Sequence, residues 1–328
     1  MKGFPLLFVS KEINLHIKNQ RIYFIRSHLL DDIAKSGNIE LFKWYRKNKF
    51  SWNRNTCALA AQNGHFDILK WARKNGCKWN LLTCASAASN GHFDILKWAR
   101  KNGCKWNYLT CAYAAQNGYF KILKWAVYPK GAAGPFGDPA RKKRCDWDGR
   151  TCYLAAQNGH LDILKWARKK GCEWDSHTCS SAAKNSHLEI LKWARSNGCE
   201  WDSWTCSYAA LNGHFEIIKW ARDNGCQWDS NTCRYAAENG HFEILKWARE
   251  NGCKWFKNTC AYAAKNGHFE AHNYGRTIVR ATPHGEILKW AIKNGCDLPF
   301  DTYIDCDTHG YFEISRWIKK NAKLIKKN

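Results

Sequence analysis

The sequence predicts an all-α solenoid of about ten helix–turn–helix repeats. One phrase, T-C-x-x-A-A-x-N-G-H-F-[DE]-I-L-K-W-A-R-x-N-G-C-x-W-[DN], returns at a nearly constant step of 27 residues. Each copy holds two stretches of helical period, and Asn-Gly ends each stretch. A fixed period of about 20–50 residues is typical of stacked repeats. The Trp of I-L-K-W marks the copies at Trp44, Trp71, Trp98, Trp125, Trp166, Trp193, Trp220, Trp247, Trp290 and Trp317.

The first helix of a copy is illustrated by the stretch that starts at Thr56. The Thr56 hydroxyl is expected to cap the helix, since it can accept from a free N–H of the first turn. Cys57, Ala60 and Ala61 give the helix a face of small side chains, which lets a neighbouring helix approach closely. Asn-Gly then predicts its end, because both residues tolerate the left-handed backbone.

The second helix is expected from about His65 to Asn75. Phe66, Leu69 and Ala72 recur at helical spacing, and Ile68 and Trp71 lie beside them, so an apolar stripe faces the core. Basic residues near the end suit the helix dipole. Gly76 is expected to stop the helix.

The repeated histidines and tryptophans invite functional interpretations. The histidine of N-G-H (N-S-H at His187) recurs seven times in one local context, which favours a structural ring that hydrogen-bonds loop backbone between repeats over a catalytic or metal role. The tryptophans could serve as stacking platforms for bases. At helical spacing inside an apolar stripe, we expect them in the core.

The seventeen cysteines follow the repeat: eight stand after Thr, eight occupy the Gly-Cys position (where Cys145 follows Arg144), and Cys306 is left over. No C-x-x-C pair occurs and the histidines lack finger spacing, so zinc is not expected. Without an export signal, disulfides are not expected either. The interpretation we favour is that cysteine acts as a small buried hydrophobe.

These residues resemble the ankyrin repeat. In that family a T-P-L-H-x-A-A-x-x-G-H segment forms the first helix and its turn, and an apolar stretch ending in G-A forms the second. Thr56–His65 resembles the first part and Phe66–Cys77 the second. The usual unit has six more residues, all in the β-hairpin finger, so shortened or absent fingers are expected. Short units rich in Trp and Cys resemble arrays of large DNA viruses of amoebae and of some protists.

The resemblance implies a non-catalytic scaffold that binds a protein partner on its concave face. Two positions vary within this chain against a repeated frame: the residue before Thr and the residue before Ala-Ala. Tyr and Trp at such positions suit a binding surface, whereas neutral variation at exposed sites is the alternative. The candidate partner-binding residues are Tyr113, Arg150, His177, Trp204, Tyr208, Asn231, Tyr235 and Tyr262.

Two insertions interrupt the repeat, at residues 127–140 and 271–286, and deleting either restores the 27-residue step. Each is either a docking loop or a tolerated insertion, and non-coding sequence retained in the gene is a further alternative. We predict a solenoid over residues 25–325, an unassigned segment over 1–24 and a basic end at 326–328.

Charge is uneven along the chain, whose formal net charge is +24. Residues 1–145 hold 26 Lys and Arg against 7 Asp and Glu, and the remainder holds 26 against 21. A basic stripe can attract nucleic acid or an anionic surface, which is the alternative function. A solvated outer face is the simpler interpretation of the same charge. The residues of this alternative basic face are Lys70, Arg73, Lys97, Arg100 and Lys124.

No catalytic constellation interrupts the repeat, so we expect neither an enzyme nor a cofactor or metal. No apolar run approaches about 18–20 residues, the length of a membrane span. The expected protein is a soluble monomer inside the cell, in the cytoplasm (that of a host if the source is viral) with the nucleus as an alternative.

Overall fold

A computed structural model describes residues 22–53, 55–128, 144–256, 258–265, 283–299, 302–308 and 315–320. These residues form helices joined by turns, and none of them lies in a strand. The all-α prediction is therefore confirmed, and no β-hairpin finger stands between the repeats in the described part of the chain. Most of both insertions lies outside the described residues. The chain divides into two compact units, residues 1–151 and 152–328.

The described residues of the first unit form eight helices, and a ninth described helix spans the boundary between the units. The nine are α1 (Ile22–Ser36), α2 (Ile39–Lys47), α3 (Thr56–Gln62), α4 (Phe66–Lys74), α5 (Thr83–Ser89), α6 (Phe93–Lys101), α7 (Tyr108–Gln116), α8 (Phe120–Val127) and α9 (Gly149–Gln157). The first helices α1, α3, α5 and α7 pack on one another in series, and α2, α4, α6 and α8 each pack on the first helix of their own repeat.

The second unit repeats this arrangement. Its helices are α10 (Leu161–Lys169), α11 (Ser176–Lys184), α12 (Leu188–Ser196), α13 (Ser203–Leu211), α14 (Phe215–Asp223), α15 (Ser230–Glu238), α16 (Phe242–Glu250), α17 (Thr259–Lys265), α18 (Pro283–Lys293) and α19 (Thr302–Thr308), and residues 315–320 are also helical. First helices α11, α13, α15 and α17 again pack in series. Within each unit the helix pairs thus stack as the repeated phrase predicts.

The core of a repeat is thin and continuous with that of its neighbours. In the repeat of α3 and α4, Cys57, Ala60, Ala61, Leu69 and Ala72 are all fully buried. Small side chains on α3 let the next first helix approach, and Leu69 fills the space between the two layers. Burying one such leucine contributes about 1.5–3 kcal/mol, so stability accumulates from one repeat to the next.

The prediction that Thr caps the first helix is wrong. Thr56 begins α3 but is fully buried, and in α11 and α13 the cap is the acid that ends the phrase. The carboxylate of Asp175 accepts from the His177 N–H at 3.0 Å, and Asp202 accepts from Trp204 N–H at 3.1 Å. An acid there also suits the positive end of the helix dipole.

The ends of the second helices are as predicted. In α4 the residues before and after the helix are His65 and Asn75, and the Cys77 N–H closes the end by donating to the Ala72 carbonyl at 3.0 Å. The same bond joins Cys145 to Ala126 at 2.9 Å, although the first insertion separates them. The repeat therefore resumes in register after that insertion. α18 begins at Pro283, within the last four residues of the second insertion.

Candidate functional site

Two surfaces of the repeat carry the candidate residues. The first-helix face consists of the variable positions before Thr, directly after Thr-Cys and before Ala-Ala, such as Trp204 and Tyr208 on α13. The second-helix face consists of the Phe, Lys, Trp and Arg of each second helix together with the Trp of the following loop.

On the first-helix face of the second unit, aromatic side chains contact one another. Trp204 is 42% exposed, and its ring lies 5.2 Å from that of Tyr208, one helical turn later. The Nζ of Lys184 lies 5.6 Å from the Tyr208 ring. The exposed ring of His177 lies 6.5 Å from Tyr153. Nothing in the packing of the core requires an exposed Trp at position 204, because His177 and Asn231 occupy the same position in neighbouring repeats.

A second cluster on this face surrounds Arg234 of α15. Its guanidinium lies 4.2 Å from the ring of Tyr262 and 5.1 Å from that of Tyr235. The guanidinium also pairs with Glu238 at 3.4 Å. The structure thus brings Tyr235 and Tyr262 to a common cation.

Sequence reasoning missed Arg234 and Tyr153. Both occupy the position directly after Thr-Cys, where other repeats carry Ala or Ser with a buried side chain. Tyr153 and Arg234 are only partly buried there. A large side chain at a position where other repeats carry Ala or Ser was the sequence signal that could have identified them.

The remaining candidates have local roles. Asn231 is held at the start of α15 by the Asp229 carboxylate, which accepts from its backbone and side-chain N–H groups at 2.9 and 3.2 Å. In the first unit, Arg150 lies 4.2 Å from the Tyr108 ring and 3.6 Å from the Asp148 carboxylate. Tyr113 is partly buried on α7.

The second-helix face is an aromatic ladder in which rings alternate with cations. Trp79 meets Trp98 of the next repeat edge to face at 5.8 Å, and its indole N–H donates to the Asn102 carbonyl at 3.1 Å. Phe66 meets the same Trp98 at 5.5 Å. These tryptophans are half-buried, so the expectation of core tryptophans holds only in part. Each ring covers the joint between two repeats and leaves one edge to solvent.

The cations of the proposed basic face lie on this ladder. Arg73 stacks on Trp79 at 4.2 Å and donates to the Cys77 carbonyl, and Arg100 stacks on Trp106 at 4.0 Å. Arg168, Arg195, Arg222 and Arg249 make the same stacking contact in the less basic second unit. The arginine contact therefore belongs to the repeat itself.

The lysines contact a phenylalanine ring of their own helix in both units, at 4.1 Å for Lys219 and 4.0 Å for Lys246 in the second. Lys70, Lys97 and Lys124 each lie about 4 Å from a phenylalanine ring of their own helix. Lys97 also pairs with Asp94 at 3.3 Å, as Lys192, Lys219 and Lys246 pair with glutamates in the second unit. At the position of that acid, α8 carries Lys121. The end of the first unit is consequently the most cationic part of this face.

The histidines join successive repeats, which confirms their predicted structural role. The Nε2 of His65 lies 2.7 Å from the Lys35 carbonyl, and that of His92 lies 3.0 Å from the Gln62 carbonyl. His187, His214 and His241 reach the preceding repeat in the same way. Since a carbonyl only accepts, Nε2 carries the proton in each.

Within the described residues, no group of three or more His, Cys, Asp or Glu side chains is placed to hold a metal ion. No described helix is long and apolar enough to cross a bilayer.

The serial helix pairs and the ring contacts between them define a helical repeat protein. Residues 179–222 match the family model of ankyrin repeats (many copies). A search of curated proteins finds no match. The matched segment covers α12 and α13 and reaches into α11 and α14, within the regular stack of the second unit. The chain is an ankyrin-repeat protein. Ankyrin repeats are generally protein–protein interaction modules and are typically non-catalytic.

Proposed function

We propose that the chain is a scaffold that binds a protein partner on the first-helix face of the second unit, the concave face in the family. The observation that carries the proposal is the exposed Trp204, whose ring lies 5.2 Å from that of Tyr208 at an interplanar angle of 36°. Large aromatic side chains that present area with few rotatable bonds are the usual anchors of protein interfaces. His177, Tyr153 and the Arg234 cluster extend the same face with groups that donate hydrogen bonds.

Trp204 stands at a position where the stack of repeats does not need a tryptophan side chain. Asp202 caps α13 through the backbone N–H of residue 204, so the cap is independent of the side chain there. Trp204 can therefore be exchanged without loss of the cap. In this proposal the chain acts as a monomer in the cytoplasm or nucleus, and in a host cell if its source is viral.

The test compares two exposed tryptophans. Full-length chain, Trp204→Ala and Trp44→Ala are used as baits, with nuclease present, and retained proteins are identified by mass spectrometry. Trp44 on α2 is 48% exposed and lies on the second-helix side, so Trp44→Ala is the matched control. We expect a discrete protein that is retained by wild type and Trp44→Ala and lost with Trp204→Ala.

The purified partner then gives an affinity. Removal of a central aromatic anchor weakens binding by about tenfold or more, equivalent to about 1.4 kcal/mol or more. Equal affinities of wild type and Trp204→Ala would contradict the proposed face.

The second candidate is electrostatic binding of nucleic acid or an anionic surface by the first unit. The observation that favours it is the run of Lys121 and Lys124 on α8, where other second helices carry an acid and a lysine. Arg73 and Arg100 support the ladder, so Lys70, Lys97 and Lys124 are the side chains to test.

Charge reversal separates the two candidates. A triple Lys→Glu variant at residues 70, 97 and 124 should lose binding to an oligonucleotide, and wild-type binding should weaken steeply with salt. The matched control reverses Lys165, Lys192 and Lys219 in the second unit. Equal binding by both triple variants would remove this candidate, whereas binding of the protein partner should survive the first triple variant.

A further inference from the structure

Seven repeats of the described chain place two cysteines close together. The Sγ of Cys57 donates to the Sγ of Cys77 at 3.1 Å, across the junction between the start of the first helix and the end of the second. Both side chains are buried, at 0% and 1% exposure. The Sγ atoms of Cys84, Cys233 and Cys260 likewise lie 4.0, 3.9 and 3.7 Å from the carbonyl oxygens of Cys104, Cys253 and Cys296. In six further pairs of the described chain the partner thiol is the main cause of the raised pKa of the first cysteine: Cys84–Cys104, Cys152–Cys172, Cys179–Cys199, Cys206–Cys226, Cys233–Cys253 and Cys260–Cys296.

The pairing follows the fold and not the spacing in the sequence. Six pairs have a separation of 20 residues. Cys260 and Cys296 lie 36 residues apart because the second insertion lies between them, and they still meet. The packing of a small apolar side chain explains why both cysteines are buried, but alanine would fill the same positions. Packing alone does not require sulfur at both positions of the same contact in repeat after repeat.

The two members of a pair differ chemically. The hydrogen bond from Cys57, with the nearby guanidinium of Arg73, holds the pKa of the Cys77 thiol below its ordinary value. The same hydrogen bond and burial raise the pKa of Cys57. Cys104, Cys199, Cys226 and Cys253 also have a lowered pKa, in each case chiefly through the hydrogen bond from their partner. In these five pairs the cysteine after Gly is therefore the nucleophile, and its partner is the resolving thiol.

We propose that the paired cysteines of each repeat are oxidation sites, which a small hydroperoxide such as hydrogen peroxide converts to a disulfide within the repeat. Two thiolates are too few for a tetrahedral metal site, and burial favours a small oxidant over a bulky disulfide. The described array would then take up one equivalent of peroxide per pair.

The reaction balances in two steps. The Cys77 sulfur, having given up its proton, attacks one oxygen of hydrogen peroxide; an S–O bond forms, the O–O bond breaks, and the departing hydroxide leaves as water with that proton. The Cys57 sulfur then attacks the Cys77 sulfenic acid; an S–S bond forms, the S–O bond breaks, and a second water leaves with the Cys57 proton. Two thiols are oxidised and one peroxide is reduced to two waters.

The test maps the products on the intact chain. Fully reduced protein is treated with hydrogen peroxide, quenched, unfolded in urea, alkylated and digested with trypsin without reduction. Trypsin cleaves at Lys70, Arg73 and Lys74, between the two cysteines, so a disulfide appears as two joined peptides. We expect joined peptides within repeats, a mass loss of about 2 Da per pair and a higher unfolding temperature that dithiothreitol reverses.

Cys57→Ala is the decisive variant, and Cys84→Ala in the next repeat is its matched control. Cys57→Ala should lose only the 57–77 crosslink and leave Cys77 alkylatable or oxidised beyond the sulfenic acid, while 84–104 still forms. The remaining crosslinks and the helical circular dichroism report whether the variant is folded. Thiols that stay alkylatable in peroxide-treated wild type, or crosslinks between repeats or between molecules, would overturn the proposal.

Discussion

The second-helix face and the first-helix face of the same repeats follow opposite rules. On the second-helix face, the contact of Arg with the loop Trp recurs from Arg46 to Arg249 with little change in distance. On the first-helix face the residue before Thr is Asn, Leu, Arg, His or Trp. Repetition within one chain therefore marks positions that join repeats, and variation marks positions that the stack leaves free.

Replacement of a tryptophan on each face should give the largest contrast. Trp220 of α14 packs with Trp201 at 5.8 Å and borders the buried Cys206, Ala221 and Cys226, so Trp220→Ala should lower the free energy of unfolding by about 2–3 kcal/mol, less than for a fully buried Trp. Trp204→Ala should change it by no more than about 0.5 kcal/mol. Urea unfolding of both variants checks this, and equal losses would refute the distinction between the faces.

Two glycines of the same repeat should differ in how much an alanine substitution destabilises the protein. Gly213 and Gly225 have φ of +77° and +85°, and an alanine in that region costs about 1–2 kcal/mol. A Cβ on Gly213 would also lie 2.7 Å from Cε1 of His241, whereas one on Gly225 meets nothing within 4 Å. Gly213→Ala should therefore cost about 1 kcal/mol more, since the His241 hydrogen bond to Leu211 is disturbed. Comparison of the two unfolding midpoints tests this, and His241→Ala should abolish the difference.

Ser186 departs from the repeated sequence, and this serine should make the protein less stable. It stands where other repeats have Gly and holds φ at 66°. Ser186→Gly should raise the free energy of unfolding by up to about 1 kcal/mol, because glycine adopts this backbone without strain. Thermal unfolding measures the gain. Ser196→Gly, within a second helix, should instead be destabilising.

The smallest expected effect is a pH dependence through His241. Burial lowers the pKa of His241 below its ordinary value of 6.5, so the unfolded chain binds more protons just below that pH. Stability should fall as the pH drops through about 6.5 and level off below the folded pKa. His241→Tyr, which introduces the residue that Tyr119 provides at the equivalent position, should make unfolding between about pH 7.5 and 5.5 less pH-dependent. An unchanged slope would contradict this assignment.

Local rules predicted much of the repeat. Helix periodicity and Asn-Gly stops placed the bounds of α4 within one residue, and repetition of His in one context identified a structural ring. The cap was misassigned because Asp175 and Thr178 both lie near the start of α11 and both can cap a helix. Only the backbone path showed that the acid reaches the free N–H.

The sequence by itself determined the period, the all-helical class, the ankyrin family and the burial of the cysteines, because each follows from local propensity and a pattern that repeats. The tertiary structure decided which side chains from different helices are in contact. It joined Trp79 to Trp98, gathered Tyr235 and Tyr262 around Arg234, and brought Cys260 to Cys296 across an insertion. Such contacts join residues from different helices, and spacing along the chain does not specify distances between helices.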